Sequence, residues 1–179
     1  MTIQVFGHKS PDTDSTGSPI AWAWYLSSIR GEDAKPVLLG EPNTEAAFML
    51  QRWGLDKPEI ISDVEAGAPV VIVDTNNPAE LPASINAADI TAIIDHHKLV
   101  GGLETKGPID ITMRPLACTA TILYDLMGDD VAARRKFIET HATEVDHPPS
   151  RPDRGSDPPL PHARPRLVLH RLKVLPVGA

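Results

Sequence analysis

Up to about residue 128, short apolar runs alternate with stretches in which apolar positions recur at helical spacing. Residues 3–6 form an apolar run rich in β-formers that stops at Gly7. Residues 15–30 read as a helix: Ile20, Ala23, Trp24 and Ser27 follow its period, and Trp22 and Leu26 widen the apolar face. Asp14 or Ser15 serves as its cap, Pro19 is placed in its first turn, and Gly31 ends it. Residues 36–39 are a short strand candidate. Asn43 or Thr44 then caps a second helix, with Ala47, Phe48, Leu50 and Trp53 expected to face inward and Gly54 to close it. A brief strand at 59–61 precedes a stronger one at 69–73 (P-V-V-I-V), β-branched and continuous as in a strand buried on both faces. Residues 77–86, with two prolines, read as loop with a short helix, 91–94 as the next strand, and 117–127 as a third helix ended by Gly128. The alternation predicts a parallel sheet in an α/β layer fold.

The rhythm stops near Gly128, and composition changes there too. Residues 1–128 carry 8 Lys and Arg against 17 Asp and Glu, whereas residues 129–179 carry 9 against 7 and hold 8 of the 18 prolines. Residues 131–143 fit a helix, 148–165 are rich in Pro and Arg without periodicity, and 167–177 are apolar with no clear partner element. Order is expected to fail from about residue 145. The chain is therefore divided into a domain at 1–128 and a divergent tail at 129–179.

A net charge of −7 argues against nucleic-acid binding as the main function. No apolar run approaches the roughly 18 residues of a membrane span, and no basic-then-apolar leader opens the chain. Cys118 is the only cysteine, which excludes an internal disulfide and a multi-thiolate zinc site. A reducing, cytoplasmic setting is expected.

Three polar clusters carry the chemistry. His8, Asp12 and Asp14 follow the first strand, Asp74 follows V-V-I-V, and Asp95-His96-His97 follow A-I-I. Singly, each reads as turn, cap or surface chemistry. Ligands of parallel α/β sheets, however, bind at the carboxyl ends of strands, and all three clusters fall there. Folding would gather four carboxylates and up to three imidazoles on one rim, a concentration that repels itself unless cations neutralise it. Two divalent metals sharing a bridging carboxylate are the simplest resolution. Imidazole with carboxylate suits Mn²⁺, Mg²⁺ or Zn²⁺, and such a pair activates water against a phosphoryl group.

G-H-K-S-P-D-T-D-S, V-D-T-N-N-P-A-E-L and I-D-H-H-K, in this order, resemble the family II, manganese-dependent inorganic pyrophosphatases of the DHH phosphoesterase superfamily. I-D-I-T-M-R-P-L-A-C-T-A-T-I-L-Y is similar to that family's segment leading into a helix, so the resemblance covers residues 1 to about 127. It implies a DHH-type N-terminal domain that hydrolyses pyrophosphate to two orthophosphates with two Mn²⁺ per site, Co²⁺ and Mg²⁺ being alternatives. His8 and Asp12 would bind one metal, Asp14 and His96 the other, and Asp74 both. His97 would contact phosphate as the catalytic histidine, Asp95 would orient the histidines, and Lys9 would be a rim charge. A homodimer is the family expectation. Rival readings are another phosphoesterase of the superfamily, acting on oligonucleotides or a nucleoside bisphosphate, and a metal-binding remnant without turnover.

The family pattern also calls for a later strand ending in a fourth aspartate, of the form S-D-T, and for a second domain with an S-R-K-type motif that grips pyrophosphate. Neither is visible; S-R-P-D-R at residues 150–154 is not that motif. The catalytic domain is therefore expected to be truncated, unstable and weakly active, with residues from about 129 read either as the product of a shifted reading frame or, alternatively, as a genuine divergent tail. Translating the other two frames beyond the Gly128 codon is expected to recover an S-D-T segment; finding none refutes the frameshift.

Overall fold

A computed structural model describes residues 1–128. Six parallel strands form one sheet in the order β3-β2-β1-β4-β5-β6. They are β1 (Ile3–Phe6), β2 (Ala34–Leu38), β3 (Glu59–Ile60), β4 (Pro69–Val73), β5 (Asp89–Asp95) and β6 (Asp110–Met113). Helices α1 (Thr13–Ser28) and α2 (Thr44–Trp53) join the first three strands, and α3 (Thr119–Leu126) follows β6. The expected parallel α/β architecture is what forms. The chain runs outward from β1 to β3, then returns to the other side of β1 for β4 to β6. That reversal leaves a crevice beyond the carboxyl ends of β1 and β4, where open parallel sheets bind ligands.

Period-two alternation divides the core between the two faces. Val5, Val71, Val73 and Ile94 pack against Ala23 and Leu26 of α1 and Ile122 and Leu123 of α3. Phe6, Val70, Ile72, Ile90 and Ile93 turn the other way, onto Val64, Leu81, Ile85 and Ala88. The second face is thus covered by 3-10 turns at Pro78–Glu80 and Ile85–Ala87 and by loops rather than by a long helix. Both faces are buried, which is why the strands read as continuous apolar runs. Pro36 is tolerated because the two-residue β3 pairs only with Val37 and Leu38, leaving β2 without an outer neighbour at that position.

Several sequence expectations shift. Asp12, not Asp14 or Ser15, caps α1, its side chain accepting from the Ser15 amide. The helix therefore starts at Thr13 and Pro19 falls inside it, beyond the first turn. The bond that Pro19 withholds is lost in a stretch buried almost all round, with Ser15, Thr16, Gly17, Ser18, Pro19 and Ile20 all enclosed. Ser27, placed on the apolar face, is exposed. In α2, Asn43 caps and Gly54 closes in the left-handed region at φ 60 as expected. The inward residues are Ala46, Met49 and Leu50, however, while Ala47 and Phe48 face solvent. Five consecutive apolar residues, 46–50, leave the helix phase undetermined by spacing, and packing against Ile20 of α1 decides it. The strand β6 was not foreseen, because D-I-T-M is too short and too polar to read as one. The helix expected at 131–143 and the tail beyond it lie outside the described residues. Among the described residues, no helix is long and apolar enough to cross a membrane.

The phase of α2 is testable by denaturation of the purified chain. Met49→Ala is expected to cost about 2–5 kcal/mol and Phe48→Ala less than about 0.5 kcal/mol; the reverse order would put Phe48 in the core.

Candidate metal centre

The first cluster is shaped by the turn out of β1. A Cβ on Gly7 would stand 1.9 Å from the Ser15 hydroxyl oxygen, so only glycine lets the chain double back over the start of α1. The His8 amide donates to that hydroxyl at 2.8 Å, and the Lys9 amide donates to the Glu80 carbonyl at 2.9 Å. Asp12 spends Oδ1 on the Ser15 amide, at 2.9 Å, and keeps Oδ2 for other partners. Asp14, one turn along, accepts from the Ser18 hydroxyl at 2.9 Å and from the Thr119 and Ala120 amides at 2.6 and 3.0 Å. Its carboxylate thereby caps the N-terminus of α3, whose own cap residue, Cys118, makes no side-chain cap bond.

Asp74 leaves β4 with φ 62, the one described non-glycine residue in the left-handed region. Aspartate tolerates that conformation better than most residues, yet it is a strained choice of the kind found at functional sites. The backbone is held by donation from the Asp74 amide to the Ile94 carbonyl at 2.9 Å. The side chain is 1% exposed. Burial pushes its carboxyl up to about 10, and the nearby charges of Asp14 and Asp12 add to the rise; the Thr119 hydroxyl opposes it.

The third cluster hangs on Asp95. Its Oδ1 accepts from the His96 and His97 amides at 2.7 and 3.0 Å and from His97 Nδ1 at 2.8 Å, while Oδ2 accepts from Asn76. Burial alone would raise its pKa. The bonds from Asn76 and His97 outweigh that and hold the carboxyl below its ordinary value. His96 directs Nδ1 at the Leu116 carbonyl, 3.1 Å away, and since a carbonyl only accepts, that nitrogen carries the proton; in the neutral ring Nε2 then presents the lone pair.

These loops converge on Asp74. His8 Nε2 lies 3.6 Å from its Oδ2, and His96 Nε2 lies 3.4 Å from its Oδ1 and 3.8 Å from Asp14 Oδ2. The spacings exceed a hydrogen bond and suit donor atoms arranged about a shared ion. Two groups each bring their donor atoms within 4.8 Å of one another: His8, Asp12 and Asp74, and Asp74, His96 and His97. Imidazole nitrogen with carboxylate oxygen is a fitting donor set for a divalent first-row metal. A cation here would also answer the crowding that forces Asp74 to hold its proton. His8, Asp12, Asp14, Asp74 and His96 are therefore brought together, with Asp95 bonded to His97 and His97, whose side chain is 51% exposed, at the mouth. Among the described residues, no side-chain contact ties Lys9 to them. Thr119 and Asn76 went unremarked. Asn76 is buried, donates to Asp95 and to the Lys98 carbonyl, and accepts from the Val100 amide at 2.7 Å. In sequence it is one more polar residue in the turn T-N-N-P, and Thr119 one more at a helix start.

Carboxylates and imidazoles from three strand-end loops around one buried aspartate give this parallel α/β domain a candidate divalent-metal site. The family model described as the DHH family, N-terminal domain, matches residues 2–146, and the chain belongs to that family. The matched span runs past the composition break at Gly128. The chain is 44% identical over 126 residues to a protein of Oceanobacillus iheyensis named as a manganese-dependent inorganic pyrophosphatase, covering 70% of this chain and 40% of that one. It is 39% identical over 124 residues to a protein of the same name from Deinococcus radiodurans, covering 69% and 39%. A solved Methanococcus jannaschii structure assigned to the family II inorganic pyrophosphatases superposes with a TM-score of 0.60 at 36% identity, covering 69% of this chain and 38% of that one. This chain spans about two fifths of the length of these relatives.

The raised Asp74 carboxyl has a consequence for stability. Asp74 ionises near 3.8 when unfolded and near 10 when folded without metal. The folded state binds the proton more tightly, so this contribution is complete below about pH 4 and is lost progressively as pH rises toward about 10. Metal-free Asp74→Asn is expected to be more stable than the parent near pH 8 by about 1–3 kcal/mol. The gap should close toward about pH 4, and Mn²⁺ should reverse the order; melting curves with chelator and with Mn²⁺ check both.

Proposed function

We propose that residues 1–128 carry the metal-binding half of a manganese-dependent inorganic pyrophosphatase. His8, Asp12 and Asp74 would hold one Mn²⁺, and Asp14, Asp74 and His96 the second. Bound there, the metals would supply charge neutralisation and Lewis acidity for attack of water on a phosphoanhydride. The chain's own residues do the positioning. Asp74, fixed by its backbone in the left-handed region, serves both groups. Asp95 holds the Nδ1 proton of His97, which leaves Nε2 to meet a phosphate oxygen at the mouth of the site. The protein is read as cytoplasmic, where Cys118 stays reduced.

The observation that carries this reading is that the two geometric groups, His8, Asp12 and Asp74 and then Asp74, His96 and His97, share Asp74, as a bridging carboxylate between two metals requires. Asp14, with Oδ2 3.8 Å from His96 Nε2, is proposed in place of His97, which is left for phosphate. Grip on a tetra-anionic substrate demands cationic partners, and Lys9 and Lys98 are the lysines neighbouring the clusters. Turnover by this chain is accordingly proposed to be weak while metal binding persists.

The test is Mn²⁺ binding and phosphate release from pyrophosphate by the purified 179-residue chain, beside Asp74→Ala. Asp74→Ala is expected to weaken Mn²⁺ binding more than about 100-fold, beyond the loss of an outer-shell partner. Unchanged binding in that variant overturns the assignment. Parallel assays with a dinucleotide and a nucleoside bisphosphate separate pyrophosphatase from other phosphoesterase activity.

A further inference from the structure

One residue outside the three clusters touches two of the site's carboxylates. Thr119, the first residue of α3, is fully buried. Its amide donates to Asp14 Oδ2 at 2.6 Å and its hydroxyl donates to Asp74 Oδ1 at 3.1 Å. His8 and His96 stand 3.4–3.6 Å from the Asp74 oxygens, beyond hydrogen-bond reach. Among the described residues, the Thr119 hydroxyl is therefore the side-chain donor that fixes the rotation of the ionised Asp74 carboxylate about its last bond. Rotation matters because Oδ2 faces His8 and Oδ1 faces His96. A carboxylate free to turn would present one group with an oxygen at the expense of the other. The contacts of α3 with Asp14 come from backbone amides and are indifferent to the side chain at 119, so the two roles of Thr119 can be separated by substitution.

We propose that Thr119 is a positioning residue for the metal centre, its hydroxyl aligning Asp74 so that one oxygen serves each donor group. This rests on the metal-centre reading above. Outer-shell partners of this kind orient the ligands that touch the metal, and their loss costs about 10- to 100-fold in affinity.

The experiment is Mn²⁺ titration of the full chain, following the electron-paramagnetic signal of the free ion, for the parent, Thr119→Val, Thr119→Ala, Thr119→Ser and Asp74→Ala. Circular dichroism checks that each is folded. Thr119→Val, which keeps the shape and both amides, is expected to weaken Mn²⁺ binding about 10- to 100-fold; Thr119→Ser, which keeps the hydroxyl, should stay within about threefold of the parent. If Thr119→Val does not fold, the contrast between Thr119→Ala and Thr119→Ser carries the same test. Parent-like binding by Thr119→Val or Thr119→Ala overturns the proposal, as does equal loss in Thr119→Ser. If the parent binds no Mn²⁺, or Asp74→Ala binds as the parent does, the metal centre itself is refuted and the proposal falls with it. Parent-like Thr119→Val beside a defective Asp74→Ala refutes the positioning role alone.

Discussion

A carboxylate sealed from water beside two others is the constraint on which this domain turns. Solvent cannot stabilise the charge on Asp74, and Asp12 and Asp14 oppose it. Among the described residues, one hydroxyl, that of Thr119, donates to it in compensation. An arrangement so costly to ionise persists in a folded domain only where something else supplies positive charge, or where the proton stays on. The surrounding imidazoles are placed for the first alternative. His96 commits its Nδ1 to a carbonyl and His97 its Nδ1 to Asp95, so that in the neutral form of each ring the opposite nitrogen carries the lone pair. Neutral imidazole with a lone pair is a metal ligand, not a counter-ion.

The rest of the fold makes that crowding possible. Reversal of strand order beside β1 opens the crevice, and each wall ends in a backbone feature that aims a side chain into it. Gly7 admits the close pass over Ser15. Asp74 turns in the left-handed region, which directs its side chain away from the course the strand would have given it. Asp95 gathers two backbone amides under the His-His pair. Helix α3 then closes the floor with its N-terminus on Asp14. Charged groups at the rim and apolar strands beneath it are a single construction: the same β-branched runs that bury both faces of the sheet deliver the polar residues that follow them.

Much of this was legible in sequence. The strands β1 and β4 appear with the bounds their apolar runs imply, and the clusters at 8–14, 74 and 95–97 were visible because chemistry-bearing residues follow strands directly. What was missed has identifiable causes. The face of α2 was misjudged because apolar residues at five successive positions carry no phase. The start of α1 was misplaced because Asp12, Asp14 and Ser15 are all competent caps, and the choice is made by where β1 releases the chain. Strand β6 is specified by pairing with β5 rather than by its own D-I-T-M. Thr119 and Asn76 matter through partners 45 and 19 residues away, a relation that local pattern does not encode.

The contact between Asp14 and α3 spans 105 residues of chain. Closing so long a loop carries an entropic cost that only the completed sheet between its ends can offset. No early folding fragment can hold the site: β1 supplies half the donors, β4 and β5 the rest, and α3 locks them only when all three strands are paired. Metal affinity at the proposed centre would therefore be a gauge of global folding. An ion that binds the assembled centre and not the open chain adds its binding free energy to the native state. A filled centre would thus also act as the last clasp of the fold.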